Sequence, residues 1–232
     1  SRSDGQPAMN ADGSVPGVAT TNATGLYSFT GLEVLPAGVH YVVTLYASTV
    51  PADYLPTVTG AGTPATDSST GSAESTDLTT DGASDLTLDF GFWQPAPDID
   101  IEKADEAGND ADAQGDAVDL GSAPGATGIV YTITNNGTED LTQVDVSDVV
   151  LANGTVSNLD CTFPDGSTGT LFTGTFRVDA SFTCTADLAG VAVGTDHQNR
   201  GSVTAEGAVS GIPVDDEDDY WANVSAPAEV SV

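Results

Sequence analysis

Short runs in which apolar and polar residues alternate, each ended by glycine or proline, constrain the fold of this chain more than any other feature. In the run that ends at Phe92 every second residue is apolar, so a strand there would turn Leu86, Leu88, Phe90 and Phe92 to one face. No window carries a sustained helical period, and 26 glycines and 12 prolines separate the runs. The pattern predicts an all-β protein with negligible helix.

Chain length and a change in composition predict the domain organisation. At 232 residues the chain has room for two domains of roughly 100 residues. Gln94-Pro-Ala-Pro97 is interpreted as a stiff proline hinge. We predict a first β-sandwich over residues 1–93, the hinge over 94–97, a second, Ig-like sandwich over 98–224 and a tail over 225–232. No apolar run approaches the roughly 20 residues that a membrane-spanning helix needs.

The net charge is extreme, with 35 acidic residues against four basic ones and a sum of −31 at pH 7. Nucleic acid is excluded as a partner, because its binding depends on cationic side chains that contact phosphates. Mutual repulsion of this size opposes the compact state at low ionic strength. We therefore expect the fold to depend on bound cations or on high salt, and a halophilic or marine source would explain the same charge.

Several short segments within residues 16–93 form one recognisable pattern. They are Thr24-Gly-Leu-Tyr-Ser-Phe-Thr-Gly-Leu32, Tyr41-Val-Val-Thr-Leu45, Pro51-Ala-Asp-Tyr54, Thr66-Asp-Ser-Ser69 and Leu88-Asp-Phe-Gly-Phe92. The pattern resembles the B-type repeat domain of serine-aspartate-repeat surface proteins, relatives of the collagen-adhesin B fold. The resemblance implies a calcium-stabilised β-sandwich stalk, with Asp67 as the one ligand that can be carried over. The strand and the Asp/Asn-rich calcium loop with which such domains start are missing from the sequence.

The second half contains about seven short candidate strands, spaced as in an Ig-like sandwich. Its most specific segments are Asp100-Ile-Glu-Lys-Ala104, Asn109-Asp-Ala-Asp112, Tyr131-Thr-Ile-Thr-Asn-Asn-Gly137, Leu141-Thr-Gln-Val-Asp-Val-Ser-Asp148, Phe182-Thr-Cys-Thr-Ala186, His197-Gln-Asn-Arg-Gly-Ser-Val-Thr204 and Asp215-Asp-Glu-Asp-Asp-Tyr220. These segments resemble the Ig-like conserved-repeat domains found in arrays on bacterial surface proteins. The resemblance covers 98–224 nearly end to end and implies a structural spacer.

Lys103 is the only lysine of the chain, and it shares strand parity with Ile99 and Ile101. If that face is the core, an unpaired ammonium group there is prohibitively costly. The lysine must then be neutralised, paired or chemically consumed. The alternative is a lysine whose head reaches solvent and pairs with a surface carboxylate.

By the same parity, Asp148 and Asn199 face the apolar side of their strands. The resemblance to surface β-sandwich domains implies Lys–Asn isopeptide bonds, formed with a nearby carboxyl group as proton shuttle. Burial suits this chemistry, because it favours a neutral, nucleophilic amine and a protonated carboxyl group. We predict a bond between Lys103 and Asn199 beside Asp148, with Asn135 and Asn136 as lesser acceptors.

The two cysteines of the chain, Cys161 and Cys184, share parity with Phe163 and Phe182 and so face the core. We predict a disulfide between them, and two buried free thiols are the alternative. A metal site at this pair is disfavoured, because no histidine cluster accompanies it. An even cysteine pair in a β-rich, acidic chain indicates an oxidising, extracellular location. The resemblance to surface-protein repeats implies association with the cell surface.

Asp110-Ala-Asp-Ala-Gln-Gly-Asp116 carries acidic residues at the first and third positions and glycine at the sixth position of an EF-like loop. Gln114 at the fifth position and the lack of glutamate at the twelfth rule out a complete EF-hand. In the resembled family this loop recurs together with a terminal acidic run. A solvated acidic patch is the alternative to a calcium site. The predicted calcium ligands are Asp110, Asp112, Asp116, Asp216 and Asp218.

These features predict a structural stalk or spacer unit of a secreted, cell-surface adhesin or fibre, whose partners are neighbouring domains of the same polypeptide or copies of itself. One alternative is a subunit of an extracellular filament in which the tail at 225–232 donates a strand to the next copy. Another is a carbohydrate- or protein-binding module that uses the polar loop at 60–83. His40 and His197 are isolated in the sequence and match no hydrolase spacing, so we expect no enzyme beyond a single self-catalysed cross-link.

Overall fold

The computed structural model describes residues 1–60, 68–121 and 124–226. It confirms the all-β class, because the helical segments among these residues are two single 3-10 turns, Ala47–Thr49 and Gln114–Asp116. The chain divides into two compact units, residues 1–94 and 95–232. The proline-rich segment that the sequence suggests as a hinge lies at this division.

The described strands are short in the first unit and long in the second. In chain order they are β1 (Val42–Thr44), β2 (Leu55–Pro56), β3 (Ser72–Glu74), β4 (Phe92–Trp93), β5 (Asp100–Asp105), β6 (Val118–Asp119), β7 (Gly125–Thr134), β8 (Leu141–Ala152), β9 (Thr155–Thr162), β10 (Thr168–Gly169), β11 (Leu171–Phe172), β12 (Ser181–Val191), β13 (Asp196–Gly207) and β14 (Pro213–Asn223).

The second unit is built from two five-stranded sheets, in the orders β10-β9-β12-β7-β5 and β11-β8-β13-β14-β6. Neighbouring strands are antiparallel, except that β14 and β6 run parallel. Alternate residues of the long strands point inward, as Ile129, Tyr131 and Ile133 do on β7. The apolar cluster that they form extends from Ile99 to Val224, so the core of the described chain belongs to this unit.

Strand β5 is an edge strand whose outer backbone groups are satisfied by side chains. On one side it pairs with β7, which places Lys103 opposite Tyr131. On its other side the backbone N–H groups of Ile101 and Lys103 donate to the carboxylates of Asp216 and Asp218 on β14, at 3.0 and 2.6 Å. These carboxylates protect the open edge of the first sheet and bring it close to the second.

The first unit has little regular structure. Its strands form two separate antiparallel pairs, β1 with β3 and β2 with β4. Its buried apolar residues, among those described, are Leu35, Tyr41 and Ala73. Large apolar side chains at several other positions remain more than half exposed. They are Val15, Val18, Leu26, Val34, Tyr46, Val58 and Leu86.

The predicted inward-facing strand from Leu86 to Phe92 is wrong over most of its length. Strand pairing here is limited to Phe92–Trp93, and Leu86 is 92% exposed. Asp85 accepts hydrogen bonds from the backbone N–H and the hydroxyl of Thr87 at 2.9 and 2.7 Å, which holds this stretch as a local turn. Alternation alone does not make a strand, because a strand needs a partner along its length.

Candidate cross-linking site and acidic cluster

Three side chains donate hydrogen bonds to one carboxylate oxygen in the core of the second unit. Oδ2 of Asp148 lies 2.8 Å from Nζ of Lys103, 2.7 Å from Nδ2 of Asn199 and 2.8 Å from the hydroxyl of Tyr131. The side chain of Lys103 is fully buried and that of Asp148 is 3% exposed. The lysine is therefore paired inside the protein, and the solvent-reaching alternative is wrong.

The sheet topology explains why these groups meet. Lys103 lies on β5 of one sheet, whereas Asp148 on β8 and Asn199 on β13 belong to the other, so the contact spans the gap between the sheets. Gly201 lies directly across from Asp148 in the β8–β13 ladder. Because Gly201 has no side chain, the ring of Tyr131 fills the space above it.

The buried site of Lys103 favours the uncharged form of its amine, compared with the same amine in water. Burial lowers the pKa of Lys103, and the neighbouring Asp148 opposes part of this effect. Burial, reinforced by the charge of Asp148, raises the pKa of Tyr131 far above its ordinary value, so this phenol remains a neutral donor. Oδ1 of Asp148 is buried and has no hydrogen-bond partner among the described residues.

Asn135 and Asn136, which the sequence predicted as lesser acceptors, lie in different environments from that of Asn199. Asn135 is fully buried, but its Nδ2 donates to the carbonyl oxygens of Glu139 and Phe176, both at 3.0 Å. Asn136 is exposed. Asn199 is the asparagine whose carboxamide shares a hydrogen-bond acceptor with the amine of Lys103.

His197, which the sequence left as an isolated histidine, belongs to this cluster. It is fully buried, and its Nε2 lies 3.0 Å from Oδ1 of Asn199. Its Nδ1 contacts the backbone oxygen of Asn153 in the turn between β8 and β9. The signal was present in the sequence, because His197 and Asn199 share parity on one strand, but an apolar-face histidine is more commonly a core residue.

The predicted disulfide is present between Cys161 and Cys184. The two residues are direct partners in the β9–β12 ladder, with Cα atoms 3.8 Å apart, and both are buried. None of the described helical segments has the length and apolar character required to cross a bilayer. The disulfide fits an extracellular or secreted protein.

A group of three carboxylates on the surface of the same unit could hold a metal ion. Glu102, Asp110 and Asp218 each offer an oxygen within 4.8 Å of the others. Burial raises the pKa of Asp218 to about 7, and the charges of Glu102 and Asp110 act in the same direction. A cation would relieve this repulsion, but the arrangement does not select calcium over other metals.

The group differs from the predicted ligand set, of which it contains Asp110 and Asp218. Glu102 was missed, because it reaches Asp218 only through the approach of β5 to β14, which the sequence does not show. Asp112 lies beside Asp110 and, through their side-chain hydrogen bond, raises the pKa of Asp110. Asp216 accepts a hydrogen bond from the backbone N–H of Ile101 on β5, and Asp116 lies exposed on a 3-10 turn. Asp67, the ligand suggested for the first domain, lies outside the described residues.

No family model and no curated protein matches the chain. Among solved structures, one match is a family 123 glycoside hydrolase from Clostridium perfringens, whose structural analysis concerned glycolipid glycan hydrolysis. The two share 10% sequence identity, with a TM-score of 0.29, over 54% of this chain and 27% of that chain. A likeness of this degree assigns neither a fold nor a reaction to this chain.

This match corrects the expectation that the chain is not an enzyme. The similar structure is that of an enzyme, so the prediction that this chain is not an enzyme is wrong and is withdrawn. The hydrolysis remains a property of the clostridial protein. No reaction or substrate is carried over from it.

Proposed function

We propose that the chain is a structural unit of a secreted, cell-surface stalk or fibre, and that its second domain is closed by an isopeptide bond between Lys103 and Asn199. The observation that carries the proposal is the single oxygen of Asp148 that accepts from both the amine and the carboxamide. Because Nζ of Lys103 and Nδ2 of Asn199 lie 2.8 and 2.7 Å from the same oxygen, the amine and the carboxamide are close neighbours. The side chains of both residues are buried.

The reaction is a transamidation in which atoms balance within the chain. The neutral Nζ of Lys103 attacks Cγ of Asn199 and forms a tetrahedral intermediate. Asp148 takes the proton that the amine loses and passes it through the same oxygen to Nδ2 of Asn199. The Cγ–Nδ2 bond breaks, ammonia leaves, and a secondary amide joins the two side chains.

Such a bond suits a stalk because of what it connects. It would join the edge strand β5 of one sheet to the central strand β13 of the other. The disulfide, in contrast, joins β9 and β12 within one sheet. The two cross-links therefore oppose different openings of the sandwich, separation of the sheets and separation of neighbouring strands, and both restrict the unfolded chain.

We assign calcium to the acidic cluster in this proposal. Hard oxygen ligands suit calcium, and a chain with a net charge of −31 gains stability from any bound cation. An ion at Glu102, Asp110 and Asp218 would tie β5 to β14 on the outside of the unit, whereas the isopeptide would join β5 to β13 on the inside. Chelation should then lower the melting temperature, and an unchanged value would remove calcium from the proposal.

The intact mass of the purified chain tests the cross-links. The isopeptide lowers the mass by about 17 Da through loss of ammonia. The disulfide lowers it by about 2 Da, which reduction restores. The variants Lys103→Met and Asn199→Ala remove the amine and the acceptor, and neither should show the 17-Da deficit. An unmodified mass in the fully folded, wild-type chain would refute the proposed bond.

A second candidate is a filament subunit assembled by strand donation, and the exposed apolar side chains of the first unit favour it. The proposed donor is the tail at 226–232, of which residues 227–232 lie outside the described residues. Light scattering of the whole chain and of a chain ending at Ser225 tests this candidate. Assemblies that grow with concentration and vanish on truncation would support it, and a monomer in both cases would refute it.

A further inference from the structure

Both ring nitrogens of His197 face oxygen atoms that can only accept hydrogen bonds. The backbone oxygen of Asn153 lies against Nδ1, and Oδ1 of Asn199 lies 3.0 Å from Nε2. The orientation of the Asn199 carboxamide follows from its other end, where Nδ2 donates to Asp148 at 2.7 Å. A neutral imidazole carries one N–H and would point a lone pair at one of the two oxygens. The imidazolium form satisfies both.

The turn between β8 and β9 is built to receive this ring. Asn153 and Gly154 both have positive φ angles, 44° and 75°, which form a tight turn that directs the Asn153 carbonyl at His197. The side chain of Asn153 donates to the backbone oxygen of Asp196 at 2.7 Å and fixes the turn to β13. A Cβ at position 154 would lie 3.1 Å from Nδ1 of the histidine, so glycine leaves the ring its place.

We propose that His197 is a catalytic residue of the cross-linking reaction, in which its imidazolium group donates from Nε2 to Oδ1 of Asn199 and stabilises the oxyanion of the tetrahedral intermediate. This inference rests on the proposed function, because it concerns the same bond. The role requires no movement, since the donor already lies at hydrogen-bond distance from the oxygen on which charge develops.

The charge balance of the buried cluster follows from the same assignment. With Lys103 as its only cation, the pocket would hold the carboxylate of Asp148 against an ammonium that cannot attack. With His197 protonated, the carboxylate has a positive partner across the Asn199 carboxamide, and the amine of Lys103 can be neutral without leaving a net buried charge. Asp148, which accepts from both the amine and the carboxamide, is then placed to act as the base.

The step balances with His197 unchanged. The lone pair of Nζ forms the bond to Cγ, and the π electrons of the carbonyl move to Oδ1. The hydrogen bond from Nε2–H stabilises the resulting negative charge on this oxygen. Asp148 carries one proton from Nζ to Nδ2. The electrons on Oδ1 re-form the carbonyl as the Cγ–Nδ2 bond breaks and ammonia leaves. Removal of one oxyanion donor costs about 10²–10³-fold in rate in enzymes of this kind of chemistry.

The test compares cross-linking rates of full-length chains that are isolated unfolded and then refolded, so that folding starts the reaction. The readout is the loss of about 17 Da with time. His197→Phe keeps an aromatic ring without donors, and we expect it to react about 10²-fold more slowly or not at all. His197→Gln can supply one N–H, and we expect an intermediate rate. Near-UV circular dichroism and disulfide formation verify that each variant is folded.

A folded His197→Phe chain that reacts at the wild-type rate would overturn the role of the histidine and leave the proposed bond intact. A folded wild-type chain without the mass loss would overturn the bond itself. If the variants fail to fold, the ¹⁵N shifts of the His197 ring in the unreactive Lys103→Met chain decide the protonation state. Two protonated nitrogens support the assignment, and a neutral ring that accepts from a turned Asn199 refutes it.

Discussion

The ring of Tyr131 packs directly against Gly201, where a Cβ would lie only 3.0 Å from Cε1 of that ring. Gly201→Ala should push Tyr131 away from Asp148, lower the free energy of unfolding by about 1–3 kcal/mol and slow the cross-link. Urea unfolding and the intact mass measure the two effects. Gly115→Ala, with open space around its Cβ and no positive φ, is the matched control and should be neutral.

Removal of Asp148 alone should be more harmful than removal of the whole ion pair. In an Asn199→Ala background, where the bond cannot form, Asp148→Ala leaves the Lys103 amine buried without its partner and should cost about 3–5 kcal/mol. Lys103→Met combined with Asp148→Leu in the same background replaces both hydrogen-bonded partners by apolar groups and should cost less. Equal unfolding free energies for the two chains would show that the pair is not buried as described.

Stability in the presence of a chelator should rise as the pH falls from about 7 towards about 4. Burial raises the pKa of Asp218 to about 7 in the folded chain, above its ordinary value of 3.8. The folded state therefore binds more protons than the unfolded state in this window, and the cost of the charged carboxylate disappears on protonation. Melting temperatures at several pH values measure the slope, which Asp218→Asn should reduce. If Asp218→Asn leaves the pH dependence of the melting temperature unchanged, that dependence does not come from Asp218.

The disulfide should stabilise the second unit independently of the isopeptide, because it closes a loop with a sequence separation of 23 within one sheet. In the Asn199→Ala background, replacement of Cys161 and Cys184 by alanine should lower the free energy of unfolding by about 3 kcal/mol. Reduction of the background chain with its cysteines intact should have a similar effect. A double variant as stable as its background would contradict this.

The two units should differ in their response to core substitutions. Leu188→Ala, at a side chain 1% exposed in the second unit, should cost about 2–5 kcal/mol. Leu86→Ser, at a side chain 92% exposed in the first unit, should change the unfolding free energy by less than about 0.5 kcal/mol. A large effect at Leu86 would show that another chain or segment covers it in solution.

Strand parity correctly predicted the inward direction of three polar side chains at the candidate site. It placed Lys103, Asp148 and Asn199 on inward faces from sequence alone, because successive side chains of a strand alternate between its two faces. A polar side chain on the inward face then needs a hydrogen-bond partner. Parity gives a direction but no register between strands. The contact of His197 with Asn153 depends on the turn between β8 and β9, and the contribution of Glu102 depends on how β5 approaches β14. Neither can be read from one strand.

The first unit shows the limit of pattern recognition. The run from Leu86 to Phe92 alternates as strictly as any strand of the second unit, yet Leu86 is exposed and Asp85 directs the backbone into a turn. Alternation predicts a strand only where a second strand is available to pair with it. That availability is a property of the whole fold, which the local pattern does not contain.

The ladder between β13 and β14 determines how the second unit would respond to tension. With the proposed bond in place, a pulling force that enters at β5 passes through Lys103 and Asn199 into β13, and then crosses the ladder to β14 in shear. The chain between residues 103 and 199 carries none of this load. Such a unit would transmit force with very little extension, and its compliance would reside outside this segment.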